Sequence, residues 1–221
     1  MTNEPFPLPH GGTVYGLVLN TRTELARLGE SLSAPPYKAP PRAPVLYIKP
    51  RNTLNRDGGR VCVPAGAQAL EINATLAVLI GGTATRVPAT RALHHVAGYA
   101  VAIDVCEPHD SYYRPAIRQR CRDGFLPIGP RVVPAAAITD PDALEITVSV
   151  NGAPAARWST ADLVRPLASL IADITAFMTL TEGDLLLVGL DPNPARAGVG
   201  DRVTARIDGI GDLTVTLEGE I

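Results

Sequence analysis

Prolines and glycines, 21 and 20 of the 221 residues, interrupt this chain so often that long regular helices are excluded. Proline removes a backbone donor and fixes φ, and glycine raises the entropy lost on ordering an element. At this frequency, and without the strict period of collagen, they mark many turns between short elements. Aromatic residues are only 5%, so the core must come from Val, Leu, Ile and Ala, a set that suits pleated strands with one or two amphipathic helices. The expected fold class is mainly β (α+β) with few helices. Hydrophobic residues at 46% and charged residues at 19% give enough apolar surface for a sizeable core.

The same composition removes several functions. A net charge of −2 with scattered Lys and Arg lacks the basic stripe of a nucleic-acid binder. The N-terminal residues carry no signal-peptide pattern, and no run approaches the roughly 18 apolar residues of a membrane span, so no membrane partner and a cytoplasmic location are expected. Three cysteines (Cys62, Cys106, Cys121) without CxxC spacing indicate reduced thiols rather than disulfides or a zinc site.

Residues 13–19 read as a strand, 23–32 as a short helix, and 45–49 as a strand beyond a proline-rich link; 51–60 read as a polar loop. The uninterrupted apolar run Leu76-Ala77-Val78-Leu79-Ile80, ending at Gly81-Gly82, predicts a strand buried on both faces. A short helix from Pro88 and a strand over 99–105 follow. Residues 107–131 show little periodicity and read as a long loop, functional or disordered. Asn151-Gly152 predicts a hairpin turn between strands, and Pro166 opens a helix with Leu167, Leu170, Ile171, Ile174 and Phe177 on one face. Strands over 185–189, 202–207 and 213–217 close the chain. The boundaries divide it into residues 1–44 and a main domain over 45–221.

Four loop arginines are the strongest chemical signal. Arg114, Arg118, Arg120 and Arg122 offer the bidentate cations that a dicarboxylate needs, or pair with Glu107, Asp110 and Asp123 at the surface. Asp104, flanked by apolar residues, needs a metal or an arginine if buried, and a structural Asp–Arg pair is as good a reading as catalysis. Lys49, at a strand end, binds a substrate carboxylate or is simply solvated. His109 is the histidine best placed to act as acid or base. Cys106 and Cys121 read as inert, and Gly209-Ile210-Gly211 as a turn.

Five segments in order, Ile48-Lys49-Pro50, 76–81, 98–104, 123–130 and 180–184, resemble the fumarylacetoacetate hydrolase family over nearly the whole chain. Within it, Lys49-Pro50-Arg51-Asn52-Thr53-Leu54, Tyr112-Tyr113-Arg114-Pro115 and Cys121-Arg122-Asp123-Gly124 are most similar to the N-terminal half, or subunit, of its bifunctional isomerase/decarboxylases of 4-hydroxyphenylacetate degradation. The resemblance implies a β-roll with few helices over 45–221 and a metal-dependent site that chelates a 2-oxo or enol acid. It implies isomerisation of 2-hydroxyhepta-2,4-diene-1,7-dioate to 2-oxohept-3-ene-1,7-dioate. The alternatives are a non-catalytic partner of a metal-bearing sister chain, or a decarboxylase or hydrolase of a 2-oxo acid.

The family's carboxylate ligands fall at Asn73, Thr75 and Asp104, two of them uncharged here, with Glu71 two residues upstream as a shifted donor. Binding of Mg²⁺ or another divalent cation is therefore expected to be weak. The family's lysine aligns with Arg120, which cannot act as a base. Its early His–Glu pair has no counterpart, since no histidine lies between Tyr15 and Tyr47. The expected catalytic groups are Asp104, His109 and Arg120, and the expected substrate-binding groups are Lys49, Arg51, Arg114, Arg122 and Asp123. A small dicarboxylate substrate and pairing as a homodimer or with a sister subunit complete the expectations.

Overall fold

A computed structural model describes residues 12–109 and 111–220. Residues before 12, and Asp110, named above as a partner for the loop arginines, lie outside the described residues. In chain order the elements are β1 (Val14–Val18), α1 (Arg22–Leu28), β2 (Val45–Lys49), β3 (Leu54–Arg56), β4 (Gly59–Val63), β5 (Leu70–Ile80), α2 (Ala89–Ala92), β6 (Val96–Cys106), α3 (Ile117–Arg120), β7 (Leu126–Ile128), β8 (Val133–Pro134), β9 (Glu145–Val150), β10 (Ala153–Ser159), α4 (Leu167–Thr175), β11 (Leu185–Leu187), β12 (Ala195–Ala197), β13 (Arg202–Ile207) and β14 (Gly211–Gly219). The class is mainly β, as expected.

Two sheets carry the fold. Nine strands form the larger one, in the order β2-β1-β11-β5-β6-β7-β3 with β12 added to β5 and β8 to β6; the smaller runs β10-β9-β13-β14-β4. The spine of the larger sheet is the antiparallel pair of β5 and β6, eleven residues each. The apolar run that predicted a doubly buried strand lies in β5, and the register sets Asn73 opposite Asp104. Ile72, Leu76, Val101 and Ile103 share one core with Ile146, Val148, Val203 and Leu213 of the smaller sheet. Trp158 Nε1–H donates to the Ala74 carbonyl at 2.9 Å, tying the sheets together where an indole needs an acceptor.

Several local expectations change. Residues 51–60 are not a plain loop: β3 pairs with β7, and β4 completes the smaller sheet beside β14. Polar residues there sit on the outer faces of edge strands, which hides them from a hydrophobic pattern. Phe177 falls past the end of α4 and is 64% exposed, because the helix stops at Thr175. The apolar residues 185–187 form an interior strand between β1 and β5, so this segment is no sheet edge. Residues 107–131 are tied down rather than open: Glu107 N–H donates to the Gln119 carbonyl at 3.0 Å and Gly124 N–H to the Asn52 carbonyl at 3.0 Å. Among the described residues no helix is long and apolar enough to cross a membrane.

Candidate functional site

Asp104, near the end of β6, is fully buried and holds three donors at once. Lys49 Nζ reaches Oδ1 at 2.7 Å, Arg120 Nη1 reaches Oδ2 at 3.0 Å, and the Tyr47 hydroxyl also donates to Oδ2. Lys49 spends its other donors on the carbonyls of Arg120 (2.6 Å) and Phe125 (3.1 Å). The Tyr47 ring lies beneath the Arg120 guanidinium, 5.1 Å from centroid to Cζ, a cation–π contact. Burial alone would raise the Asp104 pKa, but Lys49 and then Arg120 outweigh it and hold the carboxyl below its ordinary value. Burial pulls Arg120 the other way, yet Asp104 prevails and keeps it firmly charged. Two cations share one carboxylate, so the cluster carries a net positive charge.

That charge opens onto a cleft. Arg120 lines a cleft of about 570 Å³, within the range of small-molecule sites. Glu24, Arg27 and Leu28 of α1 form one wall; Glu71 and Asn73 of β5, with Arg196 of β12, form another. His109 and Tyr112 close it from the segment after β6, and residues 190–194 from the loop after β11. Most of the carboxylates are committed. Glu24 accepts the Leu19 N–H at 3.1 Å and the Tyr112 hydroxyl, and Glu71 lies 3.6 Å from Arg196. Asp191 differs: Oδ1 accepts the Asn193 N–H at 2.8 Å, while buried Oδ2 has no partner among the described residues. Burial, only partly offset by that N–H, raises its pKa.

The four loop arginines therefore diverge. Only Arg120 faces the cleft; Arg122 pairs with Glu107, and Arg114 and Arg118 are exposed, the former with no ion pair among the described residues. Arg51 is exposed, and Asp123 accepts from Asn52 Nδ2 at 2.7 Å outside the cleft. Lys49 is corrected most: it is neither a substrate contact nor a solvated strand end, because its ammonium is walled in by Asp104 and three carbonyls. His109 lies in the cleft wall, its Nδ1 at 3.2 Å from the Ser111 carbonyl and its ring edge-on to Tyr112. Cys106 is buried, and burial pushes its thiol up to about 12, in keeping with the inert reading. Asp191, Glu24 and Arg27 escaped notice; the sequence signal for the first is its place in Asp191-Pro192-Asn193-Pro194, where two prolines withhold the N–H groups that would cap it.

Residues 13–218 match the family model for the fumarylacetoacetate (FAA) hydrolase C-terminal domain. The chain belongs to the fumarylacetoacetate hydrolase family. It is 42% identical over 199 residues to the 4-hydroxyphenylacetate degradation bifunctional isomerase/decarboxylase of Salmonella dublin, a match covering 90% of this chain and 45% of that protein. It thus spans about half the length of the curated relatives it matches first. Among solved members of the fumarylacetoacetate hydrolase fold, 5-carboxymethyl-2-hydroxymuconate delta-isomerase from Mycobacterium smegmatis superposes with a TM-score of 0.80 at 27% identity, covering 95% of this chain and 80% of that one. The 2-hydroxyhepta-2,4-diene-1,7-dioate isomerase from Mycobacterium marinum gives 0.75 at 26%, covering 95% and 75%.

Asn73, Thr75 and Asp104, the positions the resemblance assigns to a divalent metal, do not fit one here. Asn73 turns its amide nitrogen toward the Asp104 carbonyl, donating at 3.2 Å. Thr75 donates its hydroxyl to the Gly189 carbonyl at 2.8 Å. Both oxygens of Asp104 are taken by cations, whose field repels a third. For the shifted set, Glu71 lies 3.6 Å from Arg196, and among the described residues no group of three His, Cys, Asp or Glu side chains could hold a metal.

Proposed function

We propose that this chain isomerises 2-hydroxyhepta-2,4-diene-1,7-dioate to 2-oxohept-3-ene-1,7-dioate in the cleft floored by Arg120. The observation that carries this is a buried guanidinium, fixed by Asp104 and Tyr47, lining a cleft of the right size in a fold shared with isomerases named for this chemistry. The reaction moves a proton from the hydroxyl on the second carbon to the fifth carbon, and negative charge gathers on the C2 oxygen as the proton leaves. A preorganised cation in a buried site is the strongest means of stabilising such charge. Arg120 commits one donor to Asp104 and keeps the rest of its fork for that oxygen or the adjacent carboxylate. Arg27 and Arg196 at the walls suit the distal carboxylate.

Loss of the dienol's ultraviolet absorbance on adding purified protein tests the proposal, with turnover expected to persist in excess chelator. An inactive chain that restores turnover to a related metal-bearing chain would instead make it a partner subunit. Activity only after added Mg²⁺ or Mn²⁺ would overturn the assignment of the positive charge to Arg120.

A further inference from the structure

We propose that Asp191 is the proton carrier of this site, accepting the proton from the C2 hydroxyl and delivering it to the fifth carbon. The inference rests on the isomerase proposal and names the group that proposal leaves open. Three observations point to it. Asp191 lines the same cleft as Arg120 and Asn73, and is only 4% exposed. Its Oδ2 is buried without a partner among the described residues, an arrangement that costs stability unless a ligand or a proton answers it. The other carboxylates at the site each have a partner: Asp104 two cations, Glu24 the Tyr112 hydroxyl and a backbone N–H, and Glu71 the Arg196 guanidinium at 3.6 Å.

The chain holds Asp191 in readiness through its own backbone. Oδ1 caps the turn by accepting the Asn193 N–H, which fixes the carboxyl plane, and Pro192 and Pro194 have no N–H to offer Oδ2. The charged and titratable groups facing the cleft are Glu24 and Arg27 from α1, Glu71 from β5, His109 and Tyr112 from the segment after β6, Arg120 from α3 and Arg196 from β12. Asp191's own titration is nevertheless governed by burial and the Asn193 N–H, which together move it upward, toward the working range of a general acid–base group.

In the step, ionised Oδ2 takes the hydroxyl proton: the substrate O–H bond breaks and an Asp191 O–H bond forms. The oxygen pair closes to a carbonyl, the C2=C3 pair moves to C3–C4, and the C4=C5 pair takes the proton back from Asp191. The carboxylate is regenerated, no electrons are gained or lost, and Arg120 carries the transient charge.

Asp191→Asn is the informative variant, since its amide oxygen keeps the cap to Asn193 while the proton relay is lost. The expected result is a fall in kcat on the dienoate of about 10²- to 10⁴-fold, with KM within about threefold of the parent and the acid limb of the pH–rate profile abolished. Recovery of part of the rate in Asp191→Glu supports the role. A kcat within about threefold of the parent in Asp191→Asn overturns it. If the parent chain itself does not turn over the dienoate, the isomerase proposal fails separately. Asp191 is then decided by carbon-13 NMR titration of its carboxyl with and without 2-oxoheptanedioate, a saturated dianion of the same length. An upward shift of the Asp191 midpoint on binding keeps Asp191 as the group facing the ligand. An unmoved midpoint, or no binding, overturns it.

Discussion

Asp104 is the residue on which the buried charges depend, because without it Lys49 and Arg120 would face each other with no anion between them. Asp104→Asn should cost about 3–5 kcal/mol of stability, read as a lower denaturant midpoint. Its folded pKa lies below the unfolded value, so its stabilisation is present above the unfolded pKa and lost as pH falls through the folded one. The parent should therefore lose stability steeply in acid while Asp104→Asn follows a flatter curve; parallel curves would remove Asp104 as the cause. Arg120→Ala should weaken 2-oxoheptanedioate binding about ten- to a hundredfold and also lower stability, whereas exposed Arg114→Ala should leave both within about 0.5 kcal/mol. Calorimetry and denaturation check the pair together. At the ligand positions, Asn73 and Thr75 are donors turned to carbonyls, so titration with Mg²⁺ or Mn²⁺ should give no low-micromolar site.

At the scale of elements, the site depends on how β1 lies against β2. Gly16 stands opposite Tyr47, and a Cβ at Gly16 would come within 2.1 Å of the Tyr47 ring. Glycine leaves the space through which Tyr47 reaches Asp104 and supports Arg120. Gly16→Ala should displace that ring and cost about 1–3 kcal/mol, with weaker 2-oxoheptanedioate binding measured alongside thermal unfolding. The hairpin of β9 and β10 was legible from Asn151-Gly152 because both positions take positive φ (52° and 81°), which those residues tolerate. The segment after β6 was read as open because its ties are distant: Tyr112 to Glu24 of α1, and Asn52 to the Cys121 carbonyl. Such contacts leave no periodic trace.

For the whole molecule, pairing of copies is the open expectation, and the grounds for it have moved. The apolar strand β11 is interior, but β2 ends the larger sheet and carries Ile48 at 53% exposure; the Cys121 thiol, just past α3, donates to the Ile48 carbonyl at 3.7 Å. An edge strand whose outer side is unpaired among the described residues and which carries an exposed apolar side chain favours association. We propose at least a dimer through this edge; sedimentation at tens of micromolar checks it, and Ile48→Lys should shift the distribution toward monomer.

The longer strands, the hairpin, the amphipathic α4 and the family were written in the sequence, since turn chemistry and apolar period act over a few neighbouring residues, whereas the short edge strands β3 and β4 were not. The family resemblance further implied that Asn73 and Thr75 stand where relatives carry metal carboxylates. Only the tertiary structure decided which charges meet. Lys49 and Arg120, 71 positions apart, converge on Asp104, three other loop arginines turn away, and Asp191 beside the cleft keeps a buried oxygen with no partner among the described residues. A charged side chain's role is set by what lies within a few ångströms of it and by how much water is excluded, and both are properties of the folded chain rather than of any local stretch.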